Sequence, residues 1–217
     1  MSADALLLSF GAMKRSAIIP DATPEFRYVL SREWNSELPR VCWIMLNPST
    51  ADHERDDPTI CACIDFAERW ECGAIDVVNL YAFRTSSPAM LRREAKHRDV
   101  VGIANDGHIL RVATNARLVV AAWGRNGTAT IGGKRRDEYV QRLLSTNRVR
   151  LHVLKVLPEN VPGHPLARGN HRISRATKPT LFEISMSAER RSQERAVVPP
   201  RGQPKSTSWA MGKQSVP

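Results

Sequence analysis

The sequence predicts an α/β fold: a three-layer sandwich with a mainly parallel central sheet and helices on both faces. Three observations predict it. Short, predominantly apolar runs recur at residues 41–46, 75–80 and 118–122, each about the length of a strand buried on both faces. Segments with helical spacing and helix punctuation lie between them, and strands alternating with helices imply crossovers and a parallel sheet. Polar or Gly/Pro-rich segments follow the strands directly, where open α/β sheets form their ligand crevice.

In chain order, residues 26–30 read as a short edge strand. The run Val41-Cys42-Trp43-Ile44-Met45-Leu46 is a central strand ended by Asn47-Pro48. Asp57 then serves as an N-cap with Pro58 at the first helical position. Ile60, Ile64 and Ala67 recur along that helix with Trp70 alongside, and Gly73 stops it. Residues 75–80 form the second strand. Ser87-Pro88 opens a short helix to about Ala95, and Asp99 is expected to cap another that carries Val100, Ile103, Ile109, Leu110 and Ala113. Residues 118–122 form a third strand stopped by Trp123-Gly124, followed by a helix over 136–144 and a β-rich run over 149–157. No internal repeat is present. After about Asn170 the apolar periodicity fades while Pro, Ser, Arg and Gln accumulate. The expected organisation is an N-terminal extension over 1–25, one α/β domain over 26–170, and a basic, disordered tail over 171–217.

Composition narrows the class. An apolar fraction of 42% and a charged fraction of 25% in 217 residues are those of an ordinary globular chain. No stretch approaches the roughly 18 consecutive apolar residues of a membrane span. The apolar start at residues 5–10 has no basic segment before it, so a cytoplasmic protein with no membrane partner is expected. Cys61-x-Cys63 does not have paired zinc-ligand spacing, and Cys42, Cys61, Cys63 and Cys72 read as core or helix-surface residues. The net charge is +10, but residues 168–217 hold ten Lys/Arg against three Asp/Glu, whereas residues 1–167 hold 22 against 19. The folded part is therefore only mildly basic, and its charge alone does not establish a grip on nucleic acid.

The chemistry concentrates after the strands. Asn47-Pro48-Ser49-Thr50-Ala51-Asp52, Asn79-Leu80-Tyr81-Ala82-Phe83-Arg84, Trp123-Gly124-Arg125 and Gly163-His164-Pro165-Leu166 are far apart in sequence yet should meet on one rim. Asn47 either starts a turn or faces the crevice. Ser49 and Thr50 either satisfy loop backbone or act with a nearby base. Asp52 and Asp56 are solvated or take a metal or a proton, and Asp57 is first a cap. Asn79 either reads a ligand's hydrogen-bonding edge or ties two loops together. Tyr81, Phe83 and Trp123 stack on a planar ligand or pack in the core. Arg84 fits an anion clamp because its fork matches phosphate oxygens. His164, between Gly and Pro, sits in an extended loop with a ligand role. Asn47, His164 and Asp52 are thus the candidate catalytic residues, and Ser49, Asn79, Tyr81, Arg84 and Trp123 the candidate ligand-binding residues. Gly-x-x-x-x-Gly-Lys, Gly-x-Gly-x-x-Gly, Gly-x-Ser-x-Gly and the zinc-deaminase signature are all missing, so no cofactor and no metal are expected.

Met45-Leu46-Asn47-Pro48-Ser49-Thr50-Ala51-Asp52, Asp57-Pro58-Thr59-Ile60, Val78-Asn79-Leu80-Tyr81-Ala82-Phe83-Arg84, Ala122-Trp123-Gly124 and His164-Pro165-Leu166 together resemble the family called "domain of unknown function 1643", over roughly residues 26–167. The chain departs from that pattern at its end, with Ala167 where a Tyr is usual and Gly163 where a basic residue is common. The order of strand–Asn-Pro, strand–Asn-Leu, strand–small-Gly and His-Pro is also similar to the uracil-DNA glycosylase superfamily, although Leu46 stands where a glycine normally precedes the Asn-Pro. That likeness implies that Asn47 orients a water at a sugar carbon, His164 stabilises the departing base anion, Asn79 reads the base edge and an aromatic stacks on it.

The leading expectation is an enzyme acting on a nucleobase, nucleotide or nucleic acid, with glycosidic-bond cleavage as its sharpest form and DNA, RNA or a nucleotide as partner. The alternative is a non-catalytic nucleic-acid- or ligand-binding module. A third reading is a metal-dependent hydrolase using Asp52, Asp56 and His164.

Overall fold

The computed structural model describes residues 13–20, 22–49 and 56–183. Its strands are β1 (Lys14–Ile18), β2 (Val29–Glu33), β3 (Arg40–Met45), β4 (Ala74–Asn79), β5 (Leu118–Ala121), β6 (Leu151–Val153), β7 (Val156–Leu157), β8 (Val161–Pro162) and β9 (Thr180–Leu181). Its helices are α1 (Pro58–Arg69), α2 (Pro88–Glu94), α3 (Asn105–Thr114), α4 (Gly124–Gly127) and α5 (Arg136–Thr146). Seven strands form one mixed sheet in the order β1-β2-β4-β3-β5-β6-β9, and β7 pairs with β8 separately. Parallel pairing is confined to the centre, from β4 through β3 and β5 to β6, while β1, β2 and β9 join antiparallel.

The centre is parallel where the sequence is apolar on both faces. In β3, Val41, Trp43 and Met45 enter one core cluster with Ile60, Cys63, Phe66 and Ala67 of α1. Cys42 and Ile44, which point the other way, enter a second cluster with Ile109, Val112 and Ala113 of α3 and Val140 and Leu144 of α5. A strand with buried side chains on both faces has no polar alternation, which explains its unbroken apolar run. Asp57 caps α1 as expected: its Oδ1 accepts the Thr59 and Ile60 N–H groups at 2.8 and 2.9 Å. The cysteines are free, three of them buried and Cys61 exposed.

Several elements differ from expectation. The strand expected at 26–30 begins at Val29, and Phe26 instead makes a single bridge to Phe83. Asp99 does not open a helix. Its carboxylate accepts the N–H groups of Val101 and Gly102, and Gly102 has φ +85°, which a right-handed helix excludes, so α3 starts at Asn105. The domain bounds expected at 26–170 leave out both edges of the sheet. Lys14–Ile18 pairs with β2, Thr180–Leu181 pairs with β6, and Phe182 is buried in the second cluster. Within the expected tail, the Trp70 indole N–H also donates to Thr177 O at 3.1 Å. Residues 184–217 lie outside the described residues.

Candidate functional site

Because β3, β4 and β5 are parallel, their C-terminal ends share one edge, with Met45 opposite Asn79 and Ile44 opposite Ala121. Backbone bonds hold the following segments together. Leu80 N–H donates to Met45 O (2.8 Å), Tyr81 N–H to Leu46 O (3.0 Å), Thr85 N–H to Pro48 O (2.9 Å) and Ala122 N–H to Ile44 O (2.8 Å). His164 arrives from the far side of the β7–β8 pair. Gly163 makes that return possible: a Cβ there would lie 3.0 Å from Ile173 and 3.1 Å from Lys155 O. Gly124, at φ +66°, brings the loop after β5 beside His164.

These segments enclose a cleft of about 380 Å³ whose walls include Asn47, Ser49, Asn79, Trp123 and His164. Its volume lies in the range of small-molecule pockets, about 300–1,000 Å³. The Asn47 amide donates to Pro48 O at 3.0 Å and to Thr85 O at 2.7 Å, so its nitrogen ties two loops. Ser49 Oγ–H donates to Asp57 Oδ2 at 2.7 Å. Asp57 thereby caps α1 with one oxygen and builds the cleft wall with the other.

Asn79 is 2% exposed, and its Nδ2 has no hydrogen-bond partner among the described residues. The Trp123 indole N–H, equally buried, has none either. Unmade hydrogen bonds at buried donors are costly, about 1–3 kcal/mol each, and both of these residues line the cleft. The main chain behind Asn79 is fixed by a buried polar pair. Asn105 Nδ2 donates to Asn79 O at 3.0 Å and Leu80 O at 3.2 Å, while Arg136 Nε–H donates to Leu80 O at 3.0 Å and its fork pairs with Asp106.

His164 is held in one tautomer. The Leu166 N–H donates to His164 Nδ1 at 3.1 Å, which leaves the ring proton on Nε2. Burial lowers its pKa from the ordinary 6.5, against an opposing pull from Asp57. At neutral pH it is therefore an uncharged ring with an N–H to donate.

Sequence reasoning missed Arg27, which is 3% exposed and lines the cleft. Burial first, and then the charge of Arg84, lower its pKa to about 10, with Asp57 opposing. A charged residue between Phe26 and Tyr28, inside an apolar segment, was the available signal. Thr85, Arg125 and Asn126 also line the cleft and were not singled out as site residues.

Among the expected residues, Tyr81, Arg84 and Asp56 are not on its wall. Tyr81 is 1% exposed within the core cluster that contains Phe83, Leu91 and Ile131, and burial raises its phenol pKa to about 12. It follows a strand end, but its ring turns into the apolar interior instead of the crevice. Arg84 is absent from the cleft wall and donates to Pro24 O at 3.3 Å, and its charge is one cause of the lowered Arg27 pKa. Asp52 and Thr50 lie outside the described residues. Asp56 is engaged elsewhere, accepting from Arg15 at 2.8 Å and Arg32 at 2.6 Å. Among the described residues, no group of three or more His, Cys, Asp or Glu side chains is placed to hold a metal ion, and no helix is long and apolar enough to cross a membrane.

Residues 27–166 match the model of a family described as "Protein of unknown function (DUF1643)". No curated protein and no solved structure matches the chain. The matched span contains every described residue of the cleft wall, from Arg27 to His164. The chain belongs to this family.

Proposed function

We propose that the cleft receives a nucleobase of a nucleotide or nucleic acid and cleaves its glycosidic bond, in the cytoplasm, with the sheet as the middle of three layers. The observation that carries this reading is the buried Asn79 amide, unpartnered at its nitrogen, on a wall shared with a neutral His164 whose proton sits on Nε2. A nucleobase edge offers acceptors to the Asn79 and Trp123 donors. In the proposed step a water held by Asn47 Oδ1 attacks the sugar carbon and the carbon–nitrogen bond breaks. Its electron pair leaves with the base, whose anion accepts from His164 Nε2–H. The water's proton passes to Asp57, the one carboxylate among the described residues of the wall.

One observation favours a second reading, a binding module without turnover. Asp57 already accepts three hydrogen bonds, and the Asn47 nitrogen is committed to backbone. The two readings part in one experiment. The full chain is incubated with single-stranded and duplex oligonucleotides carrying uracil or modified bases, and abasic sites are read as alkali-sensitive breaks. The enzyme reading expects breaks that fall about 100-fold or more with His164→Gln or Asn47→Ala. Binding that survives both substitutions, without breaks from any chain, supports the module. Neither binding nor breaks on any substrate removes both.

A further inference from the structure

A second hollow, of about 790 Å³, opens directly after His164 in the chain and is lined by nine residues, Leu166, Arg168, Arg172 and Arg175 among them. Three of these are arginines and none is acidic. Arg175 is anchored: it pairs with Asp65 at 3.3 Å, donates to Ala62 O at 3.4 Å and lies over the Phe66 ring at 5.0 Å. Arg168 and Arg172 are exposed, and neither side chain makes an ion pair or hydrogen bond among the described residues. Two unpaired guanidinium groups beside a fixed third, over a hollow without carboxylates, present the planar forks that match phosphate oxygens.

The hollow is joined to the first cleft by one residue. Leu166 lines the hollow, and its N–H is the donor that sets the His164 tautomer. Arg168 is four residues from His164, so the two side chains are rooted within about 14 Å of chain, a span of a few nucleotides. A free nucleoside would fill the cleft and leave this hollow without a ligand. A strand whose base entered the cleft would carry its next phosphates past the arginines.

We infer that this hollow binds the phosphodiester backbone of a nucleic-acid strand, held by Arg168 and Arg172 against Arg175. The inference rests on the nucleobase reading of the first cleft and narrows its substrate from nucleotides at large to a base within a strand. Each phosphate neutralised on a single strand contributes about 0.7 to the slope of log affinity against log salt.

The test is fluorescence anisotropy of a labelled single-stranded oligonucleotide with the full chain, from 50 to 200 mM salt. The chains compared are wild type, Arg168→Ala/Arg172→Ala, and Arg142→Ala/Arg150→Ala, which removes the same charge from exposed positions elsewhere. Loss of two phosphate contacts lowers the slope by about 1.4, so the wild-type advantage over the first pair shrinks about sevenfold across this range. The control pair should change the slope by less than half as much. Equal effects of the two pairs would overturn the inference, as would wild-type binding to a free nucleoside monophosphate as tight as to the oligonucleotide. A strand held through these arginines without base release would support the inference while removing the reaction proposed for the first cleft.

Discussion

Asn105→Ala tests whether the candidate site depends on the buried polar pair behind β4. Asn105 has no exposed surface, and its amide nitrogen bridges Asn79 O and Leu80 O. Losing two neutral hydrogen bonds costs about 1 kcal/mol each, and the small void adds roughly 1 kcal/mol. Leu80 O keeps its bond from Arg136. Against these losses, alanine removes Asn105 Oδ1, a buried acceptor with no partner among the described residues, whose burial costs about 1–3 kcal/mol. The net expectation is a destabilisation of at most about 2 kcal/mol, or at most roughly 8 °C in melting temperature for a domain of this size. Asn105→Asp keeps the shape but faces two carbonyl oxygens with acceptors and buries a charge, which costs several kcal/mol. Urea unfolding followed by circular dichroism should order the chains wild type, Ala, Asp, with the midpoint moving at constant slope. An Asp variant as stable as the Ala variant would refute the donor role assigned to this amide.

Three further outcomes are expected. The folded chain resists protonating His164, so between its lowered pKa and the ordinary 6.5 the unfolded chain binds more protons, and stability is lost as pH falls below 6.5. His108 is shifted the same way, so His164→Gln should flatten only part of the melting-temperature profile between pH 7.5 and 4.5, and an unchanged profile would refute the burial argument. In Gly127→Ala the new Cβ would lie 2.3 Å from the Trp123 ring, so that wall of the cleft must shift at a cost of about 1–3 kcal/mol. A variant with unchanged melting temperature and oligonucleotide affinity would contradict this. Truncation after Ile173 removes β9 and the buried Phe182, whose burial alone contributes about 1.5–3 kcal/mol. The melting temperature should fall by several degrees, and no change would restore the domain boundary to residue 170.

The legible part of this fold is the part fixed by local pattern. β3, β4 and β5 are predominantly apolar and almost wholly buried, and Asp57-Pro58 and Ser87-Pro88 mark helix starts through bonds made within three residues. Convergence of Asn47, Asn79 and Trp123 followed from direction alone, because parallel strands place their ends on one edge. The edge strands gave no such signal. In β1, Lys14, Arg15 and Ser16 are exposed, and β9 has only two residues, since an edge strand packs little and needs a partner on one side only. What lay beyond the sequence was long-range assignment of polar atoms. The charge of Arg27 is answered within the fold in part by Asp57, thirty positions away, and no local period announces that pairing. Asp57 shows the division in a single side chain. One carboxylate oxygen closes the first turn of α1, as its place before Pro58 dictates. The other accepts from Ser49 across a loop and builds the cleft wall, which only the meeting of β3 and α1 could assign. A helix cap and a carboxylate of the cleft wall are therefore one residue, and Asp57→Asn, which keeps a capping oxygen, separates the cap from the proton acceptor proposed for it: the helix should persist while any base release falls.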